Sequence, residues 1–172
     1  MINNKILIFG GGGFVGSDLA EQLYKMNYEV FVFDIKNNVK KNMYSYNRID
    51  ITNKNELDNL DIKYFEGSII VNLAARQYNQ KIPLFSKANW FEEVNYYGAI
   101  NIINFGIKIK SSGIIQLSTD MVYGIKENEI IDEKTKYNPI GPYGVSKMKM
   151  EILAKKICND NSIKLNIIRP CM

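Results

Sequence analysis

A tyrosine and a lysine four residues apart are the first side chains in this sequence that could move a proton. Tyr143 and Lys147 begin a stretch of helical character, and a spacing of four places both groups on one helical face. The chain has no histidine, so proton transfer must use Tyr, Lys, Asp or Glu. A nearby cation favours a phenolate over a phenol, so the sequence predicts an acid/base pair in which Lys147 lowers the pKa of Tyr143.

A glycine-rich turn is the second chemical signal. The segment Phe9–Gly16 reads Phe-Gly-Gly-Gly-Gly-Phe-Val-Gly, follows a short apolar run and opens a helical stretch. Gly10, Gly13 and Gly16 allow a tight turn and let backbone N–H groups approach a pyrophosphate at the positive end of the helix. Because the turn lies between a strand and a helix, it predicts dinucleotide binding.

An acidic residue indicates which dinucleotide is bound. Asp34 ends the next apolar run, 18 residues after Gly16. A carboxylate at that position would accept hydrogen bonds from an adenosine ribose and repel a 2′-phosphate, a repulsion that Lys36 could partly offset. NAD is therefore the predicted cofactor, in preference to NADP.

The elements that must position these residues follow an alternating β and α pattern. Short β-branched apolar runs predict strands at Lys5–Phe9, Glu29–Asp34, Ser68–Leu73, Gly113–Ser118 and Lys164–Ile168, with a weaker candidate at Arg48–Ile51. Helical spacing appears over Val15–Met26, Trp90–Ile109 and Tyr143–Cys158, the last with Pro142 in a position that a first helical turn tolerates. Such continuous apolar strands suit a parallel sheet covered on both faces. The predicted fold class is α/β, a doubly wound parallel sheet forming a Rossmann-type dinucleotide-binding domain over residues 1–172.

Composition excludes several classes of protein. The 172 residues are 46% hydrophobic and 23% charged, which is typical of a globular domain and not of a disordered, collagenous or membrane-spanning chain. Cys158 and Cys171 match no paired-ligand spacing, so neither a metal site nor a disulfide framework is expected. The net charge of +4 comes from dispersed lysines, which argues against a nucleic-acid partner. With no signal peptide or membrane span recognised at the N-terminus, a cytoplasmic location is expected.

Taken together, these motifs resemble those of the extended short-chain dehydrogenase/reductase family, the NAD-dependent nucleotide-sugar epimerases and dehydratases. The likeness extends from Lys5 to Pro170. It includes the glycine pattern, an adenine-contacting Asp-hydrophobic pair, a strand end beneath the cofactor, a helix asparagine and an Arg-Pro motif. The resemblance implies a cofactor-binding set of Gly10, Gly13, Phe14, Val15, Gly16, Asp34, Asp50, Ile51, Leu73, Ala74, Ala75 and Asn95, with Tyr143 and Lys147.

The same resemblance implies a catalytic triad of Thr119, Tyr143 and Lys147. Tyr143 would remove a hydroxyl proton from a sugar while NAD accepts a hydride from the same carbon. Thr119 would hydrogen-bond the substrate oxygen, and Lys147 would hold the ribose and lower the tyrosine pKa. An epimerase returns the hydride to the other face of the keto sugar, so no net oxidation results.

Departures from the family pattern leave the subclass open. Ser118-Thr119-Asp120 resembles the 4,6-dehydratases, but Met121 stands where those enzymes carry the glutamate base. Asn72 and Phe9 replace the usual His and Thr, and with Thr119-Asp120 they are similar to the 4-keto-nucleotide-sugar reductases. A reductase, or an NAD-binding module without catalysis, is therefore the alternative to an epimerase.

Two expectations concern the whole protein. The helix corresponding to residues 90–109 is unusually apolar, and this surface serves either core packing or, with the helix at 143–158, the four-helix interface of a homodimer that is common in this family. Relatives continue past the Arg-Pro motif into a smaller domain that binds the nucleotide sugar. The sequence is accordingly expected to be an N-terminal fragment that lacks this C-terminal substrate domain and has little activity alone.

Overall fold

The computed structural model describes residues 4–37, 43–125 and 130–171. Its strands are β1 (Lys5–Phe9), β2 (Glu29–Asp34), β3 (Ser45–Arg48), β4 (Ile69–Asn72), β5 (Gly113–Leu117) and β6 (Leu165–Ile168). They form one sheet in the order β3-β2-β1-β4-β5-β6, and every neighbouring pair is parallel. The predicted doubly wound parallel sheet is confirmed.

Helices connect the strands on both faces of the sheet. They are α1 (Phe14–Lys25), α2 (Lys54–Asp58), α3 (Ile62–Phe65), α4 (Lys87–Glu92), α5 (Ala99–Lys108) and α6 (Gly141–Asp160). A π-helical turn, Glu93–Gly98, joins α4 to α5 without a break, and a 3₁₀ turn, Asp120–Val122, follows β5. Pro142 lies in the first turn of α6, where its missing N–H leaves no hydrogen bond unmade.

The weak strand predicted at Arg48–Ile51 lies three residues too far along the chain. The observed strand, β3, is Ser45–Arg48 at the edge of the sheet, and most of its residues are exposed. An edge strand pairs through its backbone and needs no apolar run. Ile49 and Ile51, which suggested the strand, instead pack into the core just after it.

The sheet separates two apolar clusters. On one face, Phe9 stacks on Phe33 with ring centroids 4.9 Å apart, and Phe105 of α5 packs edge-on against Phe9. On the other face, Ile8 and Val32 pack beneath α1. Burial on both faces explains why the central strands read as continuous apolar runs.

The described ranges contain neither a membrane-spanning helix nor a group of metal ligands. Over residues 4–37, 43–125 and 130–171, no helix is long and apolar enough to cross a membrane. Within those same ranges, no three His, Cys, Asp or Glu side chains are grouped as a metal site would require.

Candidate active site

The glycine turn lies where the strand order reverses, because β1 pairs with both β2 and β4. In open α/β sheets the crevice outside the strand ends at this point is the usual ligand site. Gly10 has a φ of 81°, and a Cβ there would lie 2.5 Å from the Ala74 nitrogen. A Cβ on Gly16 would lie 2.5 Å from the Gly10 carbonyl oxygen. The turn, β4 and α1 therefore approach one another as closely as glycine alone permits.

The N-terminus of α1 points its first turn at this crevice. Gly13 is the N-cap residue in an extended conformation, and it supplies no side-chain hydrogen bond to the turn. Phe14 is 95% exposed and Val15 55%, so neither side chain is committed to the core. A helix start without a capping side chain favours an anionic group, and a pyrophosphate fits that requirement.

Asp34 holds its carboxylate beside the turn. Its Oδ2 accepts from the Gly12 N–H at 2.9 Å, and its Oδ1 accepts from the Lys36 N–H at 3.0 Å. A Cβ on Gly12 would come within 3.0 Å of this carboxylate. Tyr46 of β3 lies close enough that burial, followed by the Asp34 charge, raises the pKa of its phenol. The carboxylate is thus preoriented at the place where an adenosine ribose would lie.

The predicted adenine-contacting pair has a clear local structure. Asp50 Oδ1 accepts from both the N–H and the hydroxyl of Thr52, at 2.9 and 2.8 Å. The Ile51 side chain is buried in the core, and its carbonyl accepts from the Asn101 amide. Only the backbone N–H of Ile51 is therefore a candidate to meet a base, whereas its side chain supports the loop from below.

The strand end beneath the crevice is held by a buried amide pair. Asn72 donates to the Gln116 side chain at 2.9 Å, and Asn72 Oδ1 accepts from the Ala74 N–H at 3.1 Å. Leu73 donates its N–H to the Phe9 carbonyl, which ties β4 to the start of the glycine turn. Leu73, Ala74 and Ala75 are all partly buried beside the crevice.

Asn95 lies in the π-helical turn, and its side chain is fully buried. Its amide oxygen accepts from the Arg76 N–H, and its amide nitrogen donates to the Arg76 carbonyl and to Ser146 Oγ. Ser146 in turn donates to the Tyr143 carbonyl at 2.7 Å. Since these bonds occupy the side chain, the geometry gives Asn95 a structural role that connects the loop after β4 to α6.

The three residues of the predicted triad converge at the end of β5. Tyr143 lies close enough to Thr119 for the Thr119 side chain to oppose the rise of its pKa, and both residues are buried. Lys147 lies one helical turn after Tyr143, is 2% exposed and donates to the Leu117 carbonyl at 3.1 Å. The Tyr143 ring packs edge-on against Tyr78 and Phe91, with centroids 5.7 Å away in both cases. The phenol is therefore shielded by aromatic rings.

The predicted lowering of the tyrosine pKa by Lys147 is wrong for the protein without cofactor. Burial raises the pKa of Tyr143, the charge of Asp120 and the neighbouring Tyr78 raise it further, and only the Thr119 side chain opposes them. Burial also lowers the pKa of Lys147 to about 8, partly countered by the charge of Glu151. Lys147 is not among the groups that lower the tyrosine pKa.

Sequence reasoning missed a group of polar residues behind the triad, which comprises the buried Ser118 and Glu151 and the partly buried Tyr137 and Arg169. Glu151 follows Tyr143 and Lys147 at successive intervals of four residues, so helical spacing could have placed it on the same face. The motif Arg169-Pro170 was noticed, but nothing in the sequence paired its guanidinium with a residue 18 positions away.

An all-parallel sheet with a glycine turn at its switch point defines a Rossmann-type dinucleotide-binding protein. More specifically, the chain belongs to the NAD dependent epimerase/dehydratase family, which it matches over residues 6–172. The resemblance found in the sequence is thereby confirmed, and NAD, the predicted cofactor, is the cofactor of this family.

Relatives are similar to the chain over most of its length. A Methanocaldococcus jannaschii protein provisionally named UDP-glucose 4-epimerase is 30% identical over 152 residues, which cover 83% of this chain and 47% of that protein. GDP-6-deoxy-D-talose 4-dehydrogenase of Aggregatibacter actinomycetemcomitans is 27% identical over 155 residues, covering 88% and 48%.

The fold is similar to that of UDP-glucose 4-epimerase from Brucella ovis, whose crystal structure is a complex with NAD. The TM-score is 0.83 at 22% identity, and the match covers 96% of this chain and 51% of that one. The chain spans about half the length of each of these three proteins.

Proposed function

We propose that the chain is the NAD-binding and proton-transferring part of a nucleotide-sugar epimerase. The observation that carries this proposal is that Tyr143 and Thr119 are both buried side by side at the end of β5, with the buried Lys147 one helical turn after Tyr143. These groups lie at the strand ends that also carry the glycine turn. Membership of a family of epimerases and dehydratases supports the assignment.

The crevice at the strand ends suits NAD in shape and charge. The close approach of Gly10 and Gly16 and the uncapped start of α1 would receive the pyrophosphate. The Asp34 carboxylate would bind the adenosine ribose, and Lys147 would bind the nicotinamide ribose. When bound, NAD supplies the acceptor for a hydride from the sugar carbon.

Tyr143 would take the proton from the sugar hydroxyl that is oxidised. The Thr119 hydroxyl, fixed as the N-cap of the 3₁₀ turn, would orient the substrate oxygen toward the phenol. Because burial raises the pKa of Tyr143, a cation beside the ring, such as an oxidised nicotinamide, is needed to favour the phenolate. Proton removal would then require bound cofactor, and the Tyr143 phenol would stay protonated until the cofactor binds.

Binding of the nucleotide sugar is proposed for the whole protein. Relatives about twice the length of this chain include enzymes named for UDP-glucose and for a GDP-deoxyhexose, so the substrate class is a sugar joined to a nucleoside diphosphate. We propose that the substrate half corresponds to the part of the relatives that this chain does not span. Proximity and water exclusion by that half would be needed for turnover.

A 4-keto-nucleotide-sugar reductase is the second candidate. Thr119 donates to Asp120 Oδ1 at 3.1 Å, an acid-hydroxyl pair at the catalytic edge, and a relative is named a 4-dehydrogenase of a GDP-deoxyhexose. A 4,6-dehydratase is disfavoured because the Met121 thioether cannot act as a base. An NAD-binding module without catalysis remains the third alternative.

The test combines NAD titration of this chain with a scan of nucleotide sugars against a protein of the relatives' full length. Binding of NAD with little turnover is expected from the 172 residues alone. In the full-length protein, Tyr143→Phe is expected to lower the rate about 10²- to 10⁴-fold with NAD affinity retained, whereas Lys147→Ala should weaken both. Inverted sugar product without net NADH formation would identify an epimerase, and consumption of NADH by a keto sugar would identify a reductase. A Tyr143→Phe protein of full rate would overturn the catalytic assignment and favour the module.

A further inference from the structure

Glu151 is a fully buried carboxylate in α6 that the proposed chemistry does not use. Its Oε1 accepts from Ser118 Oγ at 2.6 Å and from Arg169 Nε at 2.9 Å. Its Oε2 accepts from the Tyr137 hydroxyl at 2.7 Å and from Arg169 Nη2. A carboxylate with this many donors is anchored in position, and these donors hold the pKa of Glu151 below its ordinary value although burial opposes them.

The donors come from the segments that surround the triad. Ser118 lies between Leu117, whose carbonyl accepts from Lys147, and Thr119, whose side chain lies beside Tyr143. Glu151 itself lies one turn beyond Lys147 on α6. The Ser118–Glu151 bond is therefore a second direct tie, beside the Lys147–Leu117 bond, between the end of β5 and the helix that carries the other two members of the triad.

We propose that Glu151 is a positioning residue, which holds the Leu117–Thr119 segment against α6 so that Lys147 and Thr119 both face Tyr143. The inference rests on the proposed function, because it assumes that Lys147 binds the NAD ribose. Glu151 touches neither the cofactor crevice nor the reacting groups, and it acts through Ser118 and through its charge. Arg169 makes the burial of that charge tolerable, since an unpaired buried carboxylate is strongly disfavoured.

Charge is the second route by which Glu151 acts on Lys147. Lys147 is fully buried, and Glu151 is the one group whose charge is found to raise its pKa against the effect of burial. Glu151 follows Lys147 by one turn on α6, Tyr143 precedes it by one turn, and the Leu117 carbonyl accepts from its ammonium. Loss of the Glu151 charge should therefore leave the ammonium easier to deprotonate.

A merely structural role is the competing explanation, in which Glu151 and Arg169 only join α6 to the end of β6. If Glu151 is only a strut, substitutions of Glu151 or of its partners would lower the melting temperature, but they would not change how NAD affinity depends on pH. Titration of NAD affinity across pH 6 to 10 in the 172-residue chain separates the two roles. Wild-type affinity should fall as Lys147 loses its proton, with a midpoint near its pKa of about 8.

Glu151→Gln should move this midpoint to lower pH by about half a unit or more, as expected for loss of one buried charge near a titrating group. Ser118→Ala keeps the Glu151–Arg169 pair and removes only the tie, so it should weaken NAD binding about threefold to tenfold with the midpoint unchanged. The matched control is Glu92→Gln, which removes another carboxylate that binds α6, at Lys149, but does not contact the triad. It should preserve both the affinity and the midpoint.

The outcomes distinguish a failure of the proposed function from a failure of the positioning role of Glu151. If Lys147→Met binds NAD as wild type does at every pH, the proposed function fails at its lysine. If wild type shows the midpoint but Glu151→Gln and Ser118→Ala behave like Glu92→Gln, Glu151 is only a strut and the positioning role is overturned. Should Glu151→Gln fail to fold, Ser118→Ala decides, and wild-type NAD affinity in that variant would contradict the proposal.

Discussion

Asp34 is the residue on which the choice of cofactor depends. Its carboxylate is fixed by the Gly12 and Lys36 N–H groups, so it cannot easily turn away from a 2′-phosphate. We expect NAD to raise the thermal midpoint more than NADP, and Asp34→Ala to narrow that difference. Glu29→Ala, at the other end of β2, removes one negative charge just as Asp34→Ala does, and this control should preserve the preference for NAD over NADP. A larger shift with NADP in the wild type would show that Lys36 and the following loop dominate.

Lys147 makes the stability of the protein depend on pH in a definite direction. Its pKa falls from 10.5 to about 8 on burial, so between these values the unfolded chain binds more protons than the folded one. The penalty for burying the ammonium is therefore complete at pH 7 and fades as the pH approaches 10.5. Relative to Lys147→Met, wild type should gain about 2 kcal/mol of unfolding free energy between pH 7 and pH 10.

Chemical denaturation of both proteins at each pH measures this gain, and the exposed Lys156→Met serves as control. Titration of the other groups cancels in the comparison. A difference between wild type and Lys147→Met that did not change with pH would mean that Lys147 is not buried as a charged group.

Among the contacts between elements, the packing of α1 on the glycine turn leaves no room for an added methyl group. A methyl group on Gly16 would overlap the Gly10 carbonyl, whereas one on Gly113 would meet atoms no closer than 3.7 Å. Gly16→Ala should cost about 1 to 3 kcal/mol of stability and weaken NAD binding by tilting α1, as overpacking of backbone against backbone does. Gly113→Ala should change stability by less than about 0.5 kcal/mol. Equal effects of the two substitutions in thermal unfolding and NAD titration would refute the close contact.

At the scale of the molecule, we propose that two copies associate through α6 and the helices from α4 to α5. Tyr97 and Ile152 are 59% and 52% exposed. The ion pair between Lys149 of α6 and Glu92 of α4 holds the helices that carry these two side chains next to each other. Ile152→Glu should therefore produce monomers in sedimentation velocity where wild type gives dimers. Met26→Glu, at the exposed end of α1, should leave association unchanged. A wild-type protein that stays monomeric at high concentration would contradict this interface.

Local patterns in the amino-acid sequence identify the class of fold and the approximate place of the site. Apolar runs identify the buried parallel strands because a strand covered on both faces carries apolar residues at every position. The glycines and Asp34 can be recognised in the sequence because their roles depend on local backbone conformation and on a fixed spacing. The edge strand β3 was misplaced, since backbone pairing imposes almost no constraint on its side chains.

The ionisation properties of the proton-transferring groups depend on tertiary packing. The pKa of Tyr143 is raised and that of Lys147 lowered because the chain buries them, and burial depends on segments distant in sequence. The contacts of Glu151 with Ser118 and Arg169 likewise join β5, α6 and the end of β6. Desolvation and long-range pairing are properties of the packed sheet and helices, and no local pattern of residues encodes them.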